Sequence, residues 1–198
     1  MLSQKIVAVS AALLAGLLAI ECPAAAQKSV AGRSLSEWSA DLAAKSRTRR
    51  LRAALTLPSF GADAVKPLVR ALQHDDPAVV YWAASGLGDL AHKSAATKRV
   101  RKRLQALLGH KTIGVRLSAA YALVRLGETE AGVGVLAKGL THPHRGVACT
   151  AADFLARVGP PAADAVPALR VAARHMDYHV KGAANEALKR ILAAKEDK

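Results

Sequence analysis

The chain has 198 residues, 52% of them hydrophobic and only 4% aromatic, and its 29 Lys and Arg against 15 Asp and Glu leave a formal charge of +14. So basic a protein favours polyanions or an acidic partner surface and loosens from either as salt rises. The scarcity of aromatic rings argues against a platform that stacks nucleic-acid bases.

Residues 1–26 are expected to lie outside the fold. Lys5 gives a positive start, residues 6–20 form an apolar run, and Ala24, Ala25 and Ala26 before Gln27 make a small-residue cleavage site. This is the pattern of a cleavable secretory signal peptide, with a run too short for a membrane span. The alternative is lipidation of Cys22, although Glu21 stands where lipidation signals carry a small residue. The mature chain is thus expected to be exported, periplasmic or secreted. Losing one Lys and one Glu leaves its charge at +14, and its one cysteine, Cys149, reads as a small buried hydrophobe with no disulfide partner.

Residues 27–33 read as a linker, and residues 34–198 as one domain. Ser34 and Glu37 form a capping box for a helix with Leu35, Trp38 and Leu42 on one face, suited to cap the first helical hairpin. A helical pattern then recurs. Arg49, Val79, Val115, Val147 and Val180 open successive copies at intervals of 30, 36, 32 and 33 residues. In register come small pairs (Ala53-Ala54, Ala83-Ala84, Ala119-Ala120, Ala151-Ala152, Ala184-Asn185), then Leu57, Leu87, Leu123, Leu155 and Leu188. Gly61, Ala91, Gly127, Gly159 and Leu192 take the terminal slot.

A second apolar run follows in each of the first four copies, for example Leu68 and Leu72, or Val133, Leu136 and Leu140. Pro58 stops the first helix near Leu57, Pro67 and Pro167 fit the first turn of second helices, and Asp76 and Asp177 serve as N-caps. Alanine pairs let helices approach closely, but one hairpin buries too little surface alone, so adjacent hairpins must stack.

The segments "VRLSAAYALVRLG", "GPPAADAVPALRVAA" and "DPAVVYWAASGLGDL" resemble HEAT repeats, in particular the short type of the phycobilisome lyases, and the "SLSEW" lead-in resembles the start of exported bacterial HEAT-repeat proteins. The resemblance implies an all-α, right-handed α-solenoid of about four HEAT-like hairpins, with an N-terminal capping helix and a C-terminal half-repeat. It implies a monomeric protein-binding scaffold whose concave face meets an acidic partner, with Arg70, Lys138, Arg170 and Arg174 lining that face. It also implies that a cation after the opening slot (Arg50, Arg116, Lys181) bridges to a neighbouring repeat.

Two further features stand out. Arg49, Arg50 and Arg52, together with Lys98, Arg99, Arg101, Lys102 and Arg103, form basic patches expected on solvent-facing sides. They are either solvated faces or a site for an acidic protein or a polyanion, whether an anionic envelope polymer, lipid head groups or nucleic acid. His74, His110, His142 and His175 recur two positions after each second helix's last core residue and are expected to cap helix C-termini. Packing places them about 8–10 Å apart, too far to share a metal ion. Only the pairs His142/His144 and His175/His179 offer two local ligands.

No catalytic set, metal site, cofactor or small-molecule substrate is expected. The chain lacks the His-Glu dipeptides that hold iron in deoxyhypusine hydroxylase, a HEAT-repeat enzyme, and has no Gly-rich phosphate loop, nucleophile elbow or zinc-protease motif.

Overall fold

The computed structural model describes residues 28–90 and 97–193. The expected signal peptide, most of the connection after the second copy's first helix and the charged C-terminal end lie outside the described residues.

The segment expected to be a linker is docked on the domain. Ser29–Val30 (β1) and Arg33–Ser34 (β2) pair antiparallel, Val30 opposite Arg33, around a turn with φ 52° at Ala31 and 72° at Gly32. The Trp38 indole donates to the Val30 carbonyl at 3.0 Å, and the Arg33 guanidinium lies 4.3 Å from the Trp38 ring centroid. The predicted capping box starts α1 (Leu35–Asp41): the Glu37 amide donates to Ser34 Oγ at 3.3 Å and the Ser34 amide to the Glu37 carboxylate at 2.8 Å. With Trp38 buried and Leu35 and Leu42 half-buried, α1 covers the open side of the first hairpin.

In chain order the four copies hold α2 (Arg47–Thr56) and α3 (Val65–Ala71), α4 (Pro77–Leu90) and α5 (Lys98–Leu107), α6 (Ile113–Arg125) and α7 (Thr129–Gly139), and α8 (Arg145–Val158) and α9 (Val166–Ala172). Helix α10 (Tyr178–Ala193) is the half-repeat. The predicted terminators Gly61, Gly127 and Gly159 all take positive φ, between 70° and 91°, a conformation that glycine adopts without a Cβ clash.

First helices stack in succession, α2 on α4, α4 on α6, α6 on α8 and α8 on α10, and each second helix packs on the first helix that follows it. The alanine pairs from Ala53-Ala54 to Ala151-Ala152 are fully buried, as are Leu57, Leu87, Leu123 and Leu155. Val147 and Leu188 are only half-buried, the former because the adjacent Ala148 takes the buried place in α8. The core has two clusters that meet on α6: Val115, Ala119 and Leu123 face the preceding hairpins, and Leu117, Ala120 and Val124 the following ones. A helix enclosed on both sides is apolar over most of its circumference.

Candidate functional site

Arg70 on α3, Lys138 on α7, Arg170 on α9 and Arg174 beyond it are all exposed, and none forms an ion pair among the described residues. They do not line the concave face. Side chains of α4 and α8 meet across α6: the Tyr81 and Phe154 ring centroids are 6.1 Å apart, and Arg157 pairs with Asp89. Helices two places apart in a stack have axes about 16–20 Å apart if the stack is flat, so such contacts form on the inside of a bend. The first helices therefore line the concave side, and the four predicted cations occupy the other layer.

The basic patches divide into structural and free members. Arg49 pairs with Asp41 at 2.5 Å, and Arg50 donates to the Ala44 and Lys45 carbonyls at 2.9 Å and reaches Asp76 at 3.5 Å, the bridge to a neighbouring repeat that the resemblance implies. Arg116 repeats the carbonyl contacts on His110 and Lys111, at 2.8 and 3.1 Å.

Two half-buried residues of the α5 run turn back onto the protein: Arg101 donates to the Leu126 carbonyl at 2.9 Å and Arg103 to the Leu72 carbonyl at 3.3 Å. Leu126 and Leu72 end α6 and α3, where last-turn carbonyls lack helical donors. Arg52, Lys98, Arg99 and Lys102 remain exposed.

The histidine column recurs, but with a different role from the one expected. His74 Nδ1 accepts from the Asp76 amide at 2.8 Å, His110 from Thr112 at 3.0 Å, His142 from His144 at 3.0 Å and His175 from Asp177 at 2.9 Å. Each ring accepts from the N-cap residue of the next helix rather than donating to the helix behind it. The geometry is that of an Asx turn, with imidazole in place of a short amide.

The concave side holds a cluster that the sequence reading missed. The Tyr121 hydroxyl donates to Asp89 at 2.6 Å, and the Arg157 guanidinium lies 4.6 Å from the Tyr121 ring centroid and 5.5 Å from that of Phe154. Those two rings stack at 4.7 Å. A signal was present: Asp89 occupies the slot that holds Arg125, Arg157 and Arg190 in later copies, a reversal of sign within one column.

Burial first, and then the bond to Asp89, pushes the Tyr121 phenol well above its usual 10.0, so it stays neutral. The cluster satisfies its own charges and suits the shaping of a surface better than acid–base chemistry. Burial likewise pushes the half-buried Cys149 thiol up, away from a reactive thiolate. Among the described residues, no three His, Cys, Asp or Glu side chains are grouped to hold a metal, and no helix is long and apolar enough to cross a membrane.

No family model and no curated protein matches the chain. Solved structures do. One engineered protein is 25% identical over 80% of this chain and 79% of its own, with a TM-score of 0.50. A second is 24% identical over 81% and 82%, also at 0.50. The CpcE–CpcF complex of the phycocyanin lyase from Nostoc sp. PCC7120 is 22% identical over 87% of this chain and 69% of its own, at 0.54. The fold is that of a HEAT-like helical-repeat protein. In a HEAT-like solenoid the helix layers present two unlike surfaces, here a concave side with stacked rings and mostly paired arginines and an opposite side with mostly unpaired cations, and the fold by itself assigns no chemistry to either.

Proposed function

We propose that this HEAT-like chain is a monomeric binding scaffold rather than an enzyme, and that its second-helix layer docks an acidic partner protein. The unpaired cations of that layer carry this reading. Helices α3, α5, α7 and α9 hold nine Lys and Arg and one acid, Glu130. The first helices are no less basic, since α2, α4, α6, α8 and α10 hold eleven Lys and Arg and three acids, but there Arg47, Arg49, Arg50, Arg145, Arg157 and Arg190 are held in ion pairs. Apart from Arg101 and Arg103, the second-layer cations stay exposed, an array that attracts negative charge and repels basic partners. The Lys5, apolar-run and Ala24-to-Ala26 pattern supports export, so the partner is sought outside the cytoplasm.

Exposed Lys98, Arg99 and Lys102, close together on one helix, favour a second reading, an anionic polymer as ligand. A salt series on heparin and on an immobilised cell-envelope extract separates the two. Salt-resistant capture of one protein supports the scaffold; retention on heparin alone, falling steeply with salt, supports the polymer. Arg70→Glu, Lys138→Glu and Arg170→Glu together weaken capture in either case, and unchanged capture removes the second-helix layer as the site.

A further inference from the structure

Three large apolar side chains stand in solvent within eight residues of the last hairpin: Val171 is 67% exposed, Met176 101% and Tyr178 80%. Their slots, counted from the recurring histidine, are not apolar by rule. Val171 takes the place of Arg70, Ala106 and Lys138; Met176 that of Asp75, Lys111 and Pro143; Tyr178 that of Pro77, Ile113 and Arg145. The first slot is otherwise charged or small and the second otherwise charged or proline, so the α9–α10 junction has exchanged solubility for exposed apolar surface. Val171 and Met176 border a hollow of about 560 Å³ together with Arg174 and His175.

The surrounding charge narrows what covers it. Arg170 and Arg174 are exposed without an ion pair among the described residues, and Lys181 is exposed nearby. The one acid in this stretch, Asp177, is engaged, accepting from the His179 amide at 2.8 Å and the Val180 amide at 3.3 Å and facing Arg145 at 3.7 Å. A second copy would bring its own formal charge of +14 to the contact, and like charge disfavours that pairing.

We propose that Val171, Met176 and Tyr178 are the apolar anchor site of the partner interface, and that they receive an acidic amphipathic helix whose carboxylates meet Arg170 and Arg174. This rests on the acidic-partner reading and locates its hot spot at the last hairpin.

Two fluorescein-labelled probes of equal negative charge test it with the full chain: a helical peptide alternating leucine and glutamate faces, and polyglutamate. Anisotropy should show the helix binding about tenfold or more tightly than polyglutamate. The triple variant V171S/M176S/Y178S should bring the two together while leaving polyglutamate binding unchanged, with a circular-dichroism melt confirming the fold. Arg170→Glu with Arg174→Glu should weaken both probes. Equal affinity of the wild type for both probes, or a triple variant that keeps the difference, overturns the anchor site while leaving the acidic-partner reading intact. Binding of neither probe overturns that broader reading. A wild-type dimer in sedimentation that the triple variant abolishes, or anionic vesicles bound through the same three residues, overturns the proposed occupant.

Discussion

Arg157 on α8 pairs with Asp89 on α4, two copies earlier, by passing over the ring of Tyr121 on the helix between them. Three consecutive first helices are thereby tied on their concave side. Arg157→Ala should cost about 1–2 kcal/mol, the sum of a part-exposed ion pair and a cation–π contact. In a double-mutant cycle with Asp89→Asn the coupling should be about 0.5–1 kcal/mol, and small-angle scattering should show a larger radius of gyration for Arg157→Ala. Additive energies with an unchanged radius would mean that the pair does not set the curvature.

Two of the three glycines of helix α7, Gly132 and Gly134, have opposite surroundings. A Cβ on Gly132 would lie 2.4 Å from Val124 Cγ2 and 2.7 Å from the Ala120 carbonyl oxygen, whereas a Cβ on Gly134 meets nothing within 4 Å. Gly134→Ala should therefore stabilise the protein by about 0.5–1 kcal/mol through helix propensity. Gly132→Ala should destabilise it by about 1–3 kcal/mol, because the backbone oxygen cannot move aside as a side chain can. Urea melts of the two variants check this, and a stabilising Gly132→Ala would refute the close approach of α6 and α7.

The hairpins and the stack were legible in the sequence because small and large apolar slots recur in register, enforced locally by burial at Ala83 and Leu87 and by the positive φ that ends the helix at Gly127. Which helix layer is concave was not legible. That depends on how closely neighbouring helices approach, a long-range property revealed by Arg157 reaching Asp89. The fates of Arg101 and Arg103 were hidden for the same reason: the carbonyls of Leu126 and Leu72 lie 25 and 31 residues away in sequence. The docked hairpin at Val30 is not legible in sequence, because two-residue strands leave no alternation to read.

The histidine turns give a prediction about tautomers. Because Nδ1 of His74, His110, His142 and His175 accepts an amide hydrogen, the ring proton of each neutral imidazole belongs on Nε2. Long-range ¹H–¹⁵N correlation spectra should show four Nε2–H tautomers. His142→Ala should cost about 1 kcal/mol, and His142→Asn should recover most of it, since the Asn carbonyl accepts the same i+2 amide. A δ tautomer at these positions, or no recovery by Asn, would return the column to the helix-capping role first expected.

The acid limb of stability should fall on the ion-paired Asp41 and on the N-cap carboxylates of Asp76 and Asp177. Hydrogen bonds from Arg33 and then Arg49 hold the Asp41 carboxyl below its ordinary 3.8. At Asp76 and Asp177 burial pushes upward, but bonds from Arg47 and the Ala78 amide, and from the Val180 and His179 amides, prevail and lower both. A folded-state value below the unfolded one means that the unfolded chain takes up protons first as pH falls. The contribution is thus complete above about pH 4 and is lost as pH drops through the folded value. The melting temperature should be steady from neutral pH to about pH 5 and fall below about pH 4. Asp41→Asn should melt below the wild type at pH 6, with the gap closing toward pH 2–3 as the wild-type carboxyl protonates; a gap that stays constant across this range would show that the bonds to Arg33 and Arg49 do not stabilise the charged form.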